Sequence, residues 1–246
     1  MAEDLRRRLR EGGRAELASL FDQHLPSLSP EEASLALANP HLDAELIARL
    51  AATPTLVASY EVRRGVALDR RTPEILARRL MVGLYWRDLV AAGRDARLRS
   101  TVRRAADLLL ADRLPGLALG ERLAIARSAG PGLISRFRDE TQPRVVQALL
   151  ENPRLTEGAL LPMLHRERVP PAVLDAVARH RSWGVRYPVR LALARNPSTP
   201  VPIALAVLPH LKKADLSGVA RDLRVPSPVR RRAGLLAGVG SGPRGI

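Results

Sequence analysis

The sequence predicts an all-α fold, a right-handed α-solenoid built on an internal duplication. Apolar residues recur three and four apart, the spacing of one helix face, as in Leu46, Ile47, Leu50 and in Leu174, Val177, Ala178. Asn-Pro, Thr-Pro, Pro-Pro, Gly-Pro and Ser-Pro pairs interrupt these segments roughly every 12 to 18 residues. The second half of the chain restates the first. No stretch alternates apolar and polar residues long enough to argue a strand.

Residues 1–28 read as an N-terminal helical cap, with the basic run Arg6 to Arg10 on a solvated face. The repeats follow over 29–237. Glu31 and Glu32 suit a helix N-terminus, where carboxylates are stabilised. Asn39-Pro40 ends that helix, and Asp43 is placed to cap the next; Asn152-Pro153 and Thr156 repeat the arrangement. Thr72 and Thr199, each before a proline, are predicted N-caps of helices beginning at that proline. Asp88 and Asp215, each preceding a leucine at a helix start, are predicted caps as well. Residues 111–141 read as helices joining the two halves, about 29–110 and 142–237, and 238–246 as a flexible tail rich in glycine.

The duplication is legible without a gap from Tyr60–Leu109 over Tyr187–Leu236, where about two fifths of the 50 aligned positions are identical. A second match lays Ser29 and the residues after it over Gln142 onward, at an offset shorter by 14 residues. The second half therefore has room for one more helix, placed at "PPAVLDAVARHRSWG". Stacked helices of this kind bury together the apolar faces that none can bury alone.

"RDARLRSTVRRAADLLL" and "RDLRVPSPVRRRAGLLA" resemble the second helix of HEAT-type repeats. "YEVRRGVALDRRTPEIL" and "YPVRLALARNPSTPVPIAL" are similar to leucine-rich-repeat-variant units of bacteria. The resemblance covers most of 29–237 and implies HEAT-like repeats forming a curved scaffold with an extended binding surface. It also implies that matched Asp and Arg residues pair between neighbouring turns as a ladder. The chain departs from the leucine-rich-variant proteins in having no cysteine for a cluster domain, and from regular HEAT arrays in its uneven unit length.

Composition narrows the function classes. The 246 residues carry 40 Lys plus Arg against 25 Asp plus Glu, a net charge of +15, and no cysteine. Disulfides, zinc–thiolate sites, iron–sulfur clusters and a cysteine nucleophile are excluded. All the basic residues but Lys212 and Lys213 are arginines. The N-terminus is charged where a signal peptide needs an apolar run, and the apolar stretch 201–211 is far shorter than the ~18 residues of a membrane span. A cytoplasmic location follows as the expectation. Phosphate-loop, zinc-helix and nucleophile-elbow motifs are all missing, so no catalytic residue, cofactor or metal is expected. His165, His180 and His210 lack the spacing of metal ligands.

Residues matched in both halves are expected to serve the repeat, and singular ones to serve function. The candidates for partner binding are the matched arginines Arg63 and Arg190, Arg103 and Arg230, Arg104 and Arg231, together with the singular Trp86 and Trp183. An arginine has five donors and can hold a ladder partner and a ligand together. The expected function is a non-enzymatic helical-repeat scaffold that offers an Arg-rich surface to a protein partner, an acidic one fitting the charge. The alternative is a sequence-independent DNA- or RNA-binding solenoid, since a positive field attracts polyanions. A third reading, a HEAT-like DNA glycosylase using Trp86, Asp88 and Trp183, conflicts with the repetition of Asp88 as Asp215. Arginines consumed by carboxylates beside exposed apolar surface favour a protein; a positive stripe of uncommitted guanidinium groups favours nucleic acid.

Overall fold

Prolines and side-chain-capped turns cut the chain into short helices. The computed structural model describes residues 2–238, which hold 18 α-helices, four short 3-10 turns and no strand. Contacts divide the chain into two compact units, Met1–Pro115 and Gly116–Ile246. No helix among the described residues is long and apolar enough to cross a membrane.

The first unit runs α1 (Ala2–Glu11), α2 (Arg14–His24), α3 (Pro30–Ala38), α4 (Ala44–Ala52), α5 (Pro54–Ala58), α6 (Tyr60–Ala67), α7 (Glu74–Met81), α8 (Trp86–Arg94) and α9 (Ser100–Arg113). One row packs α1 on α3 and α3 on α6; the other packs α2 on α4 and α7 on α9, and α8 pairs with α9. Leu9, Leu17, Leu20, Phe21, Ile47 and Leu50 are fully buried between the rows. The first 28 residues thus form a helix pair docked like those that follow.

The second unit runs α10 (Leu119–Ser128), α11 (Pro131–Ile134), α12 (Pro143–Leu150), α13 (Glu157–Leu164), α14 (Pro171–Arg179), α15 (Tyr187–Arg195), α16 (Val201–Val207), α17 (Lys213–Arg221) and α18 (Ser227–Ala237). Here α10 packs on α12 and α12 on α14, α13 packs on α15, and α16, α17 and α18 close the end around Val207, Leu208, Val219 and Val229. The additional helix is α14, nine residues long, where the first unit has only the five-residue α5. Gly238, with φ +78°, caps α18 in the left-handed conformation that glycine adopts without strain. The predicted tail, apart from Gly238, lies outside the described residues.

Some predicted caps form. The Asp43 carboxylate accepts the Leu46 N–H (3.0 Å) and Thr156 Oγ1 accepts the Ala159 N–H (3.3 Å). Ser29 and Glu32 make a reciprocal capping box. Thr72 and Thr199 do not cap: Pro73 and Pro200 hold the N-cap positions, which places each threonine one residue too early. Thr72 instead donates to the Val66 carbonyl at the end of α6 (2.6 Å), and buried Thr199 Oγ1 has no partner. Asp88 and Asp215 are not caps either. Each lies inside the first turn of its helix, behind Tyr85 or Lys212 at the N-cap, and turns its carboxylate toward an earlier helix.

Buried turn asparagines tie the ends of α3, α12 and α15 to those of α1, α10 and α13. Asn39 Nδ2 donates to the carbonyls of Leu9 and Gly12, Asn152 Nδ2 to those of Ala126 and Ala129, and Asn196 Nδ2 to those of Leu164 and Arg166. These bonds satisfy orphan carbonyls at helix C-termini. Asp69, the counterpart of Asn196 in the duplication, has no such donor. Arg71 supplies it, gripping Asp69 while donating to the carbonyls of Leu37, Asn39 and Leu42. Burial alone would push the Asp69 carboxyl up; the Arg71 bonds outweigh it and hold the group below the usual carboxylate range.

Candidate functional site

The structure sorts the matched arginines into three kinds. Arg63 Nε donates to the Val57 carbonyl (3.0 Å) and Arg190 Nε to that of Gly184 (3.2 Å), each six residues back along the chain. Arg63 adds a bond to the Ala58 carbonyl. These two arginines brace the backbone entering α6 and α15, and the repetition reflects that role. Arg103 and Arg230 are half-buried, each with its Nε enclosed and without a hydrogen-bond partner. Their Nη groups are the parts left for other contacts. Arg104 and Arg231 are exposed on α9 and α18.

The matched aspartates pair in two ways, locally at Asp95 and Asp222 and with an earlier helix at Asp88 and Asp215. Asp95 accepts both the backbone N–H and the guanidinium of Arg97, and Asp222 those of Arg224. The Arg97 guanidinium holds the Asp95 carboxyl below its ordinary range, with a smaller push from Arg103; Arg224 does the same for Asp222. Asp88 accepts from the Tyr60 hydroxyl and from Arg64 Nε (2.6 Å), and Asp215 from the Tyr187 hydroxyl (2.5 Å) and Arg195 Nη2 (3.1 Å). The two tyrosines were missed as functional parts of the repeat, although both stand at matched positions.

Trp183 is buried at 5% exposure; its indole N–H donates to the Leu150 carbonyl (3.0 Å) and Arg186 covers its ring. It joins α12 to the segment after α14, so it belongs to the core and is withdrawn as a partner-binding residue. Trp86 is half-buried at the start of α8, with Arg87 over its ring. Beside it, Tyr85 is 67% exposed and lies against the Tyr60 ring at 4.5 Å. In the second unit Lys212 replaces Tyr85 and sits over the Tyr187 ring.

Further exposed apolar side chains of the first unit lie on α7, just past its end, and on α9. Ile75 and Val82, 86% and 61% exposed, lie two turns apart on one stripe of α7 and just past its end. Thr101 on α9 donates to Glu74 on α7, and Arg113 at the end of α9 donates to the carbonyls of Val82 and Leu84. The two helices therefore run in the same direction. Exposed Leu108 follows two turns after Thr101 on the α9 stripe beside α7. Arg79 and Arg104, both exposed, stand within these stripes, Arg79 between Ile75 and Val82 and Arg104 between Thr101 and Leu108. Such a patch on a charged protein is the kind of surface that meets a partner.

Two grooves are built on the matched helices α3 and α12. The first crosses α1, α3 and α6 and encloses about 930 Å³; the second crosses α10, α12 and α14 and encloses about 490 Å³. Glu31, Ser34 and Leu35 line the first, and the residues aligned with them, Arg144, Gln147 and Ala148, line the second. On the matched helix the charge is reversed, Glu31 standing where the second unit has Arg144. No group of three or more His, Asp or Glu side chains suited to a metal ion occurs among the described residues.

No protein-family model matches the chain, and comparison with curated proteins and with solved structures likewise finds no match.

Proposed function

We propose that the chain is a non-enzymatic scaffold, a continuous right-handed solenoid of HEAT-like repeats that binds a protein partner. The observation that carries this reading is the exposed set Ile75, Val82, Tyr85 and Leu108 in one unit, interleaved with Arg79 and Arg104. Exposed apolar and aromatic groups interleaved with arginine have the composition enriched at protein-binding surfaces. The matched arginines support it too: Arg63 and Arg190 are committed to backbone carbonyls, so they form no stripe for a phosphate chain. Both Asp88 carboxylate oxygens are engaged by Tyr60 and Arg64, which leaves the glycosylase reading without its acid.

The test pairs Ile75→Asp with Leu108→Asp. Both side chains are exposed, so the variant keeps its helicity and Tm. A partner crosslinked and captured from the native cell by the wild type at physiological salt is lost by the variant. Tight binding of single- or double-stranded DNA or RNA, with a steep salt dependence that the double change leaves intact, overturns the reading in favour of a nucleic-acid binder.

A further inference from the structure

Duplicated surfaces start identical, so a charge reversal at matched positions marks where the two halves have taken different partners. Five carboxylates and three arginines line the groove of the first unit, a net charge of −2 on a chain of +15. Glu31 there is engaged by Arg6 (3.6 Å). In the second unit Arg144 stands at the Glu31 position. Three arginines face two carboxylates in that groove, and both carboxylates already have partners. Asp175 accepts Arg179 Nε (2.8 Å), and Glu151 lies 3.1 Å from His180 Nε2.

Arg127 on α10 and Arg144 on α12 remain, both exposed and neither bonded to a carboxylate among the described residues. Leu123, Ala148 and Ala176, one from each of the three helices, supply the apolar part of the floor, with the Gln147 amide also in the lining. No Phe, Tyr or Trp lines the groove, and the His180 imidazole is held against Glu151, so no large free ring is offered for a base to stack on. Two uncommitted guanidinium groups over an apolar floor match a segment that has carboxylates and apolar side chains together. A phosphate backbone would use the arginines and leave the floor without a partner.

We propose that the groove across α10, α12 and α14 binds an extended acidic peptide segment that also carries aliphatic side chains, gripped by Arg127 and Arg144. The proposal rests on the scaffold reading but on a separate surface. Carboxylates of the peptide take the guanidinium N–H groups, its backbone takes the Gln147 amide, and its aliphatic side chains cover Leu123, Ala148 and Ala176. The groove of the first unit, with its opposite charge, rejects the same segment.

The probe is a short fluorescent peptide alternating Glu and Leu, titrated against the full chain by anisotropy at near-physiological salt. Arg127→Glu with Arg144→Glu weakens it at least about tenfold, because charge contacts at an open groove are each worth a few-fold and reversal adds repulsion. Circular dichroism stays unchanged, since neither arginine holds the fold. The apolar-face variant Ile75→Asp with Leu108→Asp binds the peptide as the wild type does. Peptide affinity indifferent to the groove variant overturns the proposal and leaves the scaffold reading standing on its α7–α9 face. A single-stranded oligonucleotide that binds more tightly than the peptide and is lost with the same two arginines also overturns it, and assigns the groove to phosphates. Loss of partner capture through the apolar face alone, with peptide binding retained in the groove, supports two separate surfaces.

Discussion

The Tyr60 hydroxyl donates to the carboxylate of Asp88, 28 residues further along the chain, and accepts the backbone N–H of Tyr85 (3.1 Å). Tyr187 repeats both bonds with Asp215 and Lys212. One phenol thus fastens the start of α6 to the start of α8, and its counterpart fastens α15 to α17. The guanidinium that completes each trio comes from a different turn: Arg64 aligns with Leu191, and Arg195 with Leu68. The carboxylate is the fixed point, and the arginine has been exchanged around it.

Removing the hydroxyl isolates a partly buried carboxylate and a backbone donor together. Tyr60→Phe should lower stability by about 1–3 kcal/mol, the cost of leaving such groups without their bond. Tyr187→Phe acts in the same direction. Urea unfolding of each variant measures the effect, and stability equal to wild type in both would show the trios to be incidental.

The same tyrosines set an alkaline limit. Burial first and the Asp88 bond second push the Tyr60 hydroxyl above the ordinary tyrosine range; for Tyr187 the Asp215 bond comes first. A tyrosine raised in the folded state contributes its full stability below the unfolded value, about 10, and loses it as pH rises through the folded value. Tm of the wild type should therefore fall above about pH 10 more steeply than that of the Tyr60→Phe, Tyr187→Phe double variant. Parallel alkaline slopes in the two proteins would contradict it.

Local signals were legible and distant ones were not. Asp43 and Thr156 cap within their own first turn, so spacing alone places them. The offset change between the two matches located α14, because an added helix must shift every later residue. Asp88 looked like a cap for the same local reason, but its partner lies on a helix 28 residues away, a distance no periodicity encodes. Trp183 stood out as singular, yet only packing shows its indole bonded to Leu150. Glu31 over Arg144 was visible in the alignment of the halves. That Arg127 shares the groove with Arg144 depends on how α10 lies against α12.

Gly93 on α8 lies beneath the buried Asp107 of α9: a Cβ there would come within 2.4 Å of Oδ1. At the matched crossing of α17 and α18, Ala220 stands at the Gly93 position and Gly234 at that of Asp107, and a Cβ added to Gly234 would meet Ala220 at 3.8 Å, an ordinary contact. Only the α8–α9 crossing excludes a second side chain. Gly93→Ala should cost about 1–3 kcal/mol through overpacking despite the better helix propensity of alanine. In an Asp107→Ala background the same change should cost less than half as much, a coupling read from a double-mutant cycle. Additive effects would mean that the crossing adjusts without strain.

The buried turn residues offer a sharper test, because asparagine and aspartate occupy the same turn by different chemistry. At Asn152 and Asn196 the side-chain amide donates to two carbonyls of an earlier helix end, while Oδ1 accepts the N–H two residues on, from Arg154 or Ser198. Aspartate in place of either keeps the turn bond but sets a buried anion against two carbonyl oxygens. Asp69 lives in that arrangement only because Arg71, two residues on, bonds the carboxylate and donates to the carbonyls in its stead. Asn152 is followed at the same spacing by an exposed arginine, Arg154, and Asn196 by Ser198. Asn196→Asp should therefore cost about 3–5 kcal/mol, the scale of an uncompensated buried charge. Asn152→Asp should cost only about 1–2 kcal/mol, since Arg154 can swing in as Arg71 does. Arg154→Ala should be nearly silent alone and severe with Asn152→Asp, and Ser198→Arg should recover much of the Asn196→Asp loss. Urea unfolding of the five variants decides it. Equal costs at positions 152 and 196 would mean that the arginine two residues on is not what allows a carboxylate in this turn.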